Sequence, residues 1–114
     1  MKAILIDPVT NTVSEVESGD FRKIQKLLDC KTFTAVYGEG SDVLYVDDEG
    51  LLVHKNQAFR LTGFHPHPLM GRGLVVGTDF ETGEDREPTM TVDEVRDNVT
   101  WFSSWGVYDY FTSS

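Results

Sequence analysis

Val43-Leu44-Tyr45-Val46-Asp47-Asp48-Glu49-Gly50-Leu51-Leu52-Val53-His54 sets two apolar runs on either side of an acidic turn closed by glycine. Short runs of aliphatic and aromatic residues favour strands, and Asp and Gly favour turns, so the stretch reads as a β-hairpin. Its apolar runs are the densest in the chain, which makes it the candidate for the centre of a sheet. With Asp47 to Gly50 as the loop, Val46 faces Leu51 and Leu44 faces Val53, and all four share one face because side chains alternate along a strand. Val43, Tyr45, Leu52 and His54 take the other face. A shorter loop with Gly50 left-handed slips the register by one residue. Either way both faces carry apolar groups, as in a strand pair covered on both sides.

The flanking chain supplies partners for such a pair. Lys2 to Ile6 reads as a strand stopped by Asp7-Pro8. Thr10-Asn11-Thr12 turns the chain, and Thr12 to Glu17 returns as a more polar strand, nearer an edge. Phe21, Ile24, Leu27 and Leu28 then fall on one helical stripe. Asp20 is the N-cap, or Ser18 if the helix begins earlier, and the end falls near Asp29-Cys30. Thr32 to Tyr37 is β-branched and aromatic, hence a strand. Beyond the hairpin, Lys55 to Leu61 is ambiguous: Asn56 can cap one or two helical turns carrying Ala58, Phe59 and Leu61.

The rest of the chain is punctuated by turn residues. Gly63 to Pro68 must be extended or looped, because each proline biases its predecessor away from helix. Gly71-Arg72-Gly73 leads into a core strand, Leu74 to Thr78. Residues 79–90 form an acidic loop. Thr91-x-x-Glu94 is a capping box that opens a last helix, with Val92, Val95, Val99 and Phe102 as its buried stripe. The expected architecture is a single α+β domain over residues 1–114. A mainly antiparallel, twisted sheet of about five to six strands packs against a helix at 20–30, and a helix at 91–103 covers another surface or an end. Residues 104–114 are an aromatic C-terminal tail.

Composition narrows the function classes. The net charge is −9, which argues against binding nucleic-acid backbones or anionic membranes, since both need a cationic surface. The same charge suits a basic protein partner or mimicry of a nucleic acid, and it also simply keeps a small protein soluble. With one cysteine, Cys30, no intramolecular disulfide forms, and a packed apolar thiol is the plainer reading than a redox centre. No run approaches the ~20 apolar residues of a membrane span. The apolar run at the N-terminus is short and meets Asp7, unlike a signal peptide. The expected location is the cytoplasm.

Candidate chemistry is sparse. His65-Pro66-His67 in an extended segment sends both rings to one side, with His54 as a third nitrogen and Asp47, Asp48 or Asp79 to complete a metal site. Against this, the second spaced ligand pair of zinc signatures is missing, and a loop of solvated histidines accounts for the same residues. Asp47-Asp48-Glu49-Gly50 lacks the alternating ligands and distal glutamate of a calcium loop. Gly71-Arg72-Gly73 with Gly77 fits neither phosphate-loop pattern. No nucleophile elbow occurs, and no pair of carboxylates is set apart for acid–base work. The aromatic tail departs most from background: Trp105, Tyr108, Tyr110 and Phe111 are the residue types of interface hot spots.

Met1-x-Ala3-x-x-Ile6-Asp7-Pro8, Tyr45-Val46-Asp47-Asp48-Glu49-Gly50-Leu51 and Gly71-x-Gly73-Leu74-Val75-Val76-Gly77-Thr78 together resemble an uncharacterised family of small proteins encoded by bacteriophages, plasmids and some bacterial genomes. The resemblance spans about residues 1 to 80. The Asn-Pro-x-Ala segment frequent in that family reads Asn56-Gln57-Ala58 here, without its proline. The resemblance implies a mobile-element context and assigns no catalytic residue.

Three functions follow as expectations. The first is a non-enzymatic accessory protein without a cofactor, binding a host or viral protein. It would use an acidic face at Asp47, Asp48 and Glu49 with the tail residues Trp105, Tyr108, Tyr110 and Phe111, the tail also suiting contact with a second copy in a homodimer. The second is a module for a small, nucleotide-type ligand in the 64–72 loop, through Phe64, His65, His67 and Arg72. The third is a metal-dependent enzyme on His54, His65 and His67.

Overall fold

The computed structural model describes residues 1–38, 40–48 and 57–103. Its elements run β1 (Lys2–Asp7), β2 (Thr12–Glu17), α1 (Phe21–Leu28), β3 (Phe33–Tyr37), β4 (Asp42–Asp47), β5 (Gln57–Leu61), β6 (Leu69–Met70), β7 (Gly73–Thr78), β8 (Asp85–Arg86), α2 (Val92–Asn98) and β9 (Val99–Ser103). The larger sheet has the order β2-β1-β7-β4-β3, with β8 added to β7. A smaller sheet has the order β6-β5-β9. Every pairing is antiparallel. The expected α+β class is therefore what the chain adopts, with a second sheet that the sequence reading did not separate from the first.

Strand alternation divides the larger sheet into two apolar faces. Ile4, Ile6, Val13, Leu44, Val46 and Val75 point to one face, where they pack on Phe59 and Leu61 of β5 and on Val95 of α2. Ala3, Val43, Leu74 and Val76 point to the other, against Ile24 and Leu28 of α1. The result is three layers: α1, the larger sheet, then the smaller sheet with α2. Two faces on β4 are what its continuous apolar run requires. Gly73 marks the tightest contact between the sheets, since a Cβ there would overlap the Phe59 ring.

α1 has only eight residues, too short to persist alone, so its ends and its buried stripe must hold it. Asp20 accepts from the Lys23 N–H at 3.0 Å, and Asp29 ends the helix in the left-handed region with its N–H on the Gln25 and Lys26 carbonyls. Ile24 and Leu28 are buried, whereas Phe21 is exposed and stacks on Phe33. α2 begins as expected: Thr91 and Glu94 form a reciprocal capping box.

Two expectations need correction. First, the strand partners of β4 are β3 and β7. Val46 pairs with Thr34 on one side and with Gly73 on the other, and Leu44 with Val36 and Val75. Both hydrogen-bonding edges of β4 are thus taken by β3 and β7; residues 49–56, which hold the expected turn and second arm, lie outside the described residues. Second, the last helix stops at Asn98 rather than reaching 103. Val99-Thr100-Trp101-Phe102 is β-branched or aromatic throughout and continues as β9, pairing with Leu61 through Ala58 of β5. Gln57 to Leu61 is accordingly strand, which settles the ambiguous segment against helix. The expected acidic loop, residues 79–90, is tied at two points. Asp85 and Arg86 pair with Thr78 and Gly77, and the Asp42 carboxylate receives the N–H groups of Thr89 and Met90.

Candidate functional site

Two exposed aromatic side chains, Tyr37 and Phe80, lie together at one end of the larger sheet. β3 finishes in Tyr37, which pairs with Val43 yet keeps 63% of its surface in solvent. The turn from β7 to β8 sets Phe80, 61% exposed, beside it. The two ring centroids are 6.3 Å apart with the planes tilted by 48°. This turn is built by its own sequence. Asp79 Oδ1 accepts from the N–H of Glu81 at 2.9 Å, and Gly83, at φ 74°, donates its N–H to the Asp79 carbonyl at 2.6 Å. Such Asx turns fix a tip that has few other contacts.

Gly38 brings a third segment to the same place. A Cβ on it would stand 3.0 Å from the Gly63 carbonyl and from the Phe64 ring, so the absent side chain lets the end of β3 close on the turn after β5. In that turn Phe64 donates its N–H to the Leu61 carbonyl at 3.2 Å. An open, shallow surface results, lined by Tyr37, Arg60, Phe64, His65 and Pro66. It presents aromatic faces, one guanidinium and one imidazole, groups suited to gripping side chains of a partner.

The residues proposed from sequence are distributed unevenly over this geometry. Phe64 and His65 belong to the surface. His67 follows closely, its ring 5.7 Å from that of His65. His65 Nδ1 lies 3.2 Å from the His67 N–H, so a metal would have to use Nε2. Among the described residues no three His, Cys, Asp or Glu side chains converge on a metal position. Arg72 is elsewhere: its Nε lies 3.5 Å from Asp7 Oδ2 and its Nη1 donates to the Leu27 carbonyl. There it ties β1 to α1 at the Gly73 end of β7, three residue steps, or roughly 10 Å, along the strands from the level of Tyr37. Phe64, His65 and His67 thus lie together while Arg72 lies apart, and Arg60 stands beside Phe64.

Asp47 and Asp48 lie at the far end of β4, with the Asp48 N–H donating to the Thr32 carbonyl. Glu49, His54, Trp105, Tyr108, Tyr110 and Phe111 lie outside the described residues. Sequence reading did not single out Tyr37 or Phe80. The available signal was Phe80 itself, an isolated aromatic in an otherwise polar, acidic run.

A smaller pocket, about 180 Å³, opens on the α1 side among Lys2, Ile24, Tyr45, Val76, Asp85 and Arg86. Burial, reinforced by the Asp85 carboxylate and by Tyr37, pushes the Tyr45 hydroxyl above the usual tyrosine range. The pocket is below the roughly 300–1,000 Å³ of typical ligand sites, and a nucleotide does not fit it. No helix among the described residues is long and apolar enough to cross a membrane.

Residues 1–100 match the family described as Domain of unknown function (DUF3846), and the chain belongs to that family. The match includes the acidic segment and α2, beyond the stretch over which the resemblance was legible. No curated protein and no solved structure matches the chain.

Proposed function

We propose that this family member is a non-enzymatic interaction protein that holds a partner protein against the Tyr37–Phe80 end of its larger sheet. The observation that carries this is the pair itself: two large rings, each more than half exposed, set against one another, Tyr37 at the end of β3 and Phe80 on a turn fixed by Asp79. Exposed, pre-positioned aromatics are the usual anchors of an interface. Glu81, Glu84 and Asp85 border the pair, and with a net charge of −9 they favour a partner presenting lysine or arginine. In the mobile-element context implied by the resemblance, the partner is a protein of the bacterial host and the setting is its cytoplasm.

The test is affinity capture from bacterial lysate with the wild-type chain and with a Tyr37→Ser, Phe80→Ser double variant, each quantified by mass spectrometry. A protein retained in stoichiometric amounts by the first and lost by the second is expected. Recovery of no such protein, or equal recovery by both chains, overturns the reading. Because both side chains are exposed, the double variant should keep its fold, which circular dichroism checks.

A further inference from the structure

The two edges of the larger sheet are finished differently. β2 carries Glu15 and Glu17, and α2 reaches across it, with Arg96 Nη2 donating to the Val13 carbonyl at 3.2 Å. Charge and a covering helix are the usual protections of an edge against unwanted pairing. β3, at the opposite edge, reads Phe33-Thr34-Ala35-Val36-Tyr37. It has no charge, no proline and an unbroken register with β4. Among the described residues no strand pairs with its outer side. A flat, uncharged edge exposes a row of main-chain donors and acceptors that an extended chain can satisfy. β9 is also uncharged, but it ends at Ser103, the last of the described residues.

Charge selects the occupant. At the Tyr37 end stand Asp79, Glu81 and Glu84 with Arg60, so that end is net negative, whereas at the Phe33 end Asp29, Asp47 and Asp48 are balanced by Lys31 and by Arg22 and Lys26 of α1. A second copy would bring together two chains that each carry −9, which opposes association. An extended segment with basic ends meets no such opposition.

We infer that β3 is a docking edge for an extended, lysine- or arginine-flanked segment of another protein, which joins the larger sheet as an added strand and seats an apolar side chain on Tyr37 and Phe80. This specifies how the interaction proposed above is made, and rests on it.

A synthetic peptide of alternating valine and threonine flanked by lysines is titrated into the isotope-labelled full chain, beside the same peptide flanked by glutamates. The lysine form is expected to give saturable shifts and slowed amide exchange in residues 33–37. The glutamate form is expected to bind about tenfold more weakly or worse. Thr34→Lys, at an exposed edge position, is expected to weaken the lysine-flanked peptide while preserving the fold; Thr34→Glu, of similar bulk, is expected to strengthen it.

Saturation without slowed exchange at 33–37, or equal binding of the two peptides, overturns the edge assignment. So does concentration-dependent protection of β3 in the free chain, which would make the occupant a second copy. If Thr34→Lys keeps full capture of a cellular partner that Tyr37→Ser, Phe80→Ser loses, the interaction reading stands and the edge assignment falls.

Discussion

Asp42 is 3% exposed, on the sheet face that packs against β5 and α2. Its two carboxylate oxygens accept from the N–H groups of Thr89 and Met90, each at 2.8 Å. A buried carboxylate is tolerable only with such partners, and hydrogen bonds to a charged group are the stronger kind. The pair fixes the chain immediately before the Thr91 cap, so one side chain sets where α2 starts and where the acidic segment returns. Asp42→Asn turns an amide N–H toward one of the two donors and loses that bond. A cost of about 1–3 kcal/mol is expected in urea unfolding, and more for Asp42→Ala.

Tyr45 makes a pH prediction of opposite character. Its hydroxyl is held above the ordinary value of 10.0 chiefly by burial, so the fold favours the neutral form. Below pH 10 the folded and unfolded chains are both protonated there and the group contributes no pH dependence. Above it the unfolded chain loses the proton first, and stability falls as pH rises. Tyr45→Phe should flatten this alkaline limb of the urea midpoint and leave the neutral region nearly unchanged. An identical slope in both proteins would show that Tyr45 does not titrate as assigned.

Among the elements, β1, β2, α1, β3, β4, β7 and the start of α2 were legible because their signals are local: alternation, a 3.6-residue stripe, an Asp20 cap, a Thr91–Glu94 box. The partners of β4 were not legible because alternation says that a segment is a strand and not which strand lies beside it. Leu44 and Val46 look equally good opposite Leu51 and Val53 or opposite Val75 and Gly73. What decides is Gly73, whose missing Cβ admits Phe59 from the second sheet, a contact between residues far apart in sequence. β9 was misread for a related reason. Val92, Val95, Val99 and Phe102 do fit a helical stripe, but Val99 and Trp101 reach the same core from a strand, so burial alone did not distinguish the two. The candidate site was legible only in part. Phe64 and His65 announced themselves by composition, whereas Tyr37 joins them through Gly38 and Phe80 through the Asp79 turn, both of which are effects of tertiary placement.

Across the three layers the charge is segregated. α1 carries Arg22, Lys23 and Lys26 on one side of the sheet, while Asp93, Glu94 and Asp97 lie on α2 at the other, with Asp79, Glu81, Glu84 and Glu87 in the segment leading to it. Such a field steers an approaching basic partner toward the acidic side before any contact forms, and steering acts on the association rate. The exposed rings Tyr37 and Phe80 act once the complex is made, and so on the dissociation rate. The two contributions should separate in surface-plasmon kinetics with the captured partner. Raising salt from about 0.1 M to about 1 M shortens the screening length from roughly 10 Å to roughly 3 Å. The association rate should fall by about tenfold or more while dissociation changes little. Glu81→Gln with Glu84→Gln should reproduce part of that fall at low salt. Tyr37→Ser with Phe80→Ser should instead accelerate dissociation, and Lys26→Glu on the far layer should leave both constants close to wild type. An association rate indifferent to salt, or carboxylate and aromatic variants acting on the same constant, would remove the division of labour between the acidic surface and the aromatic pair.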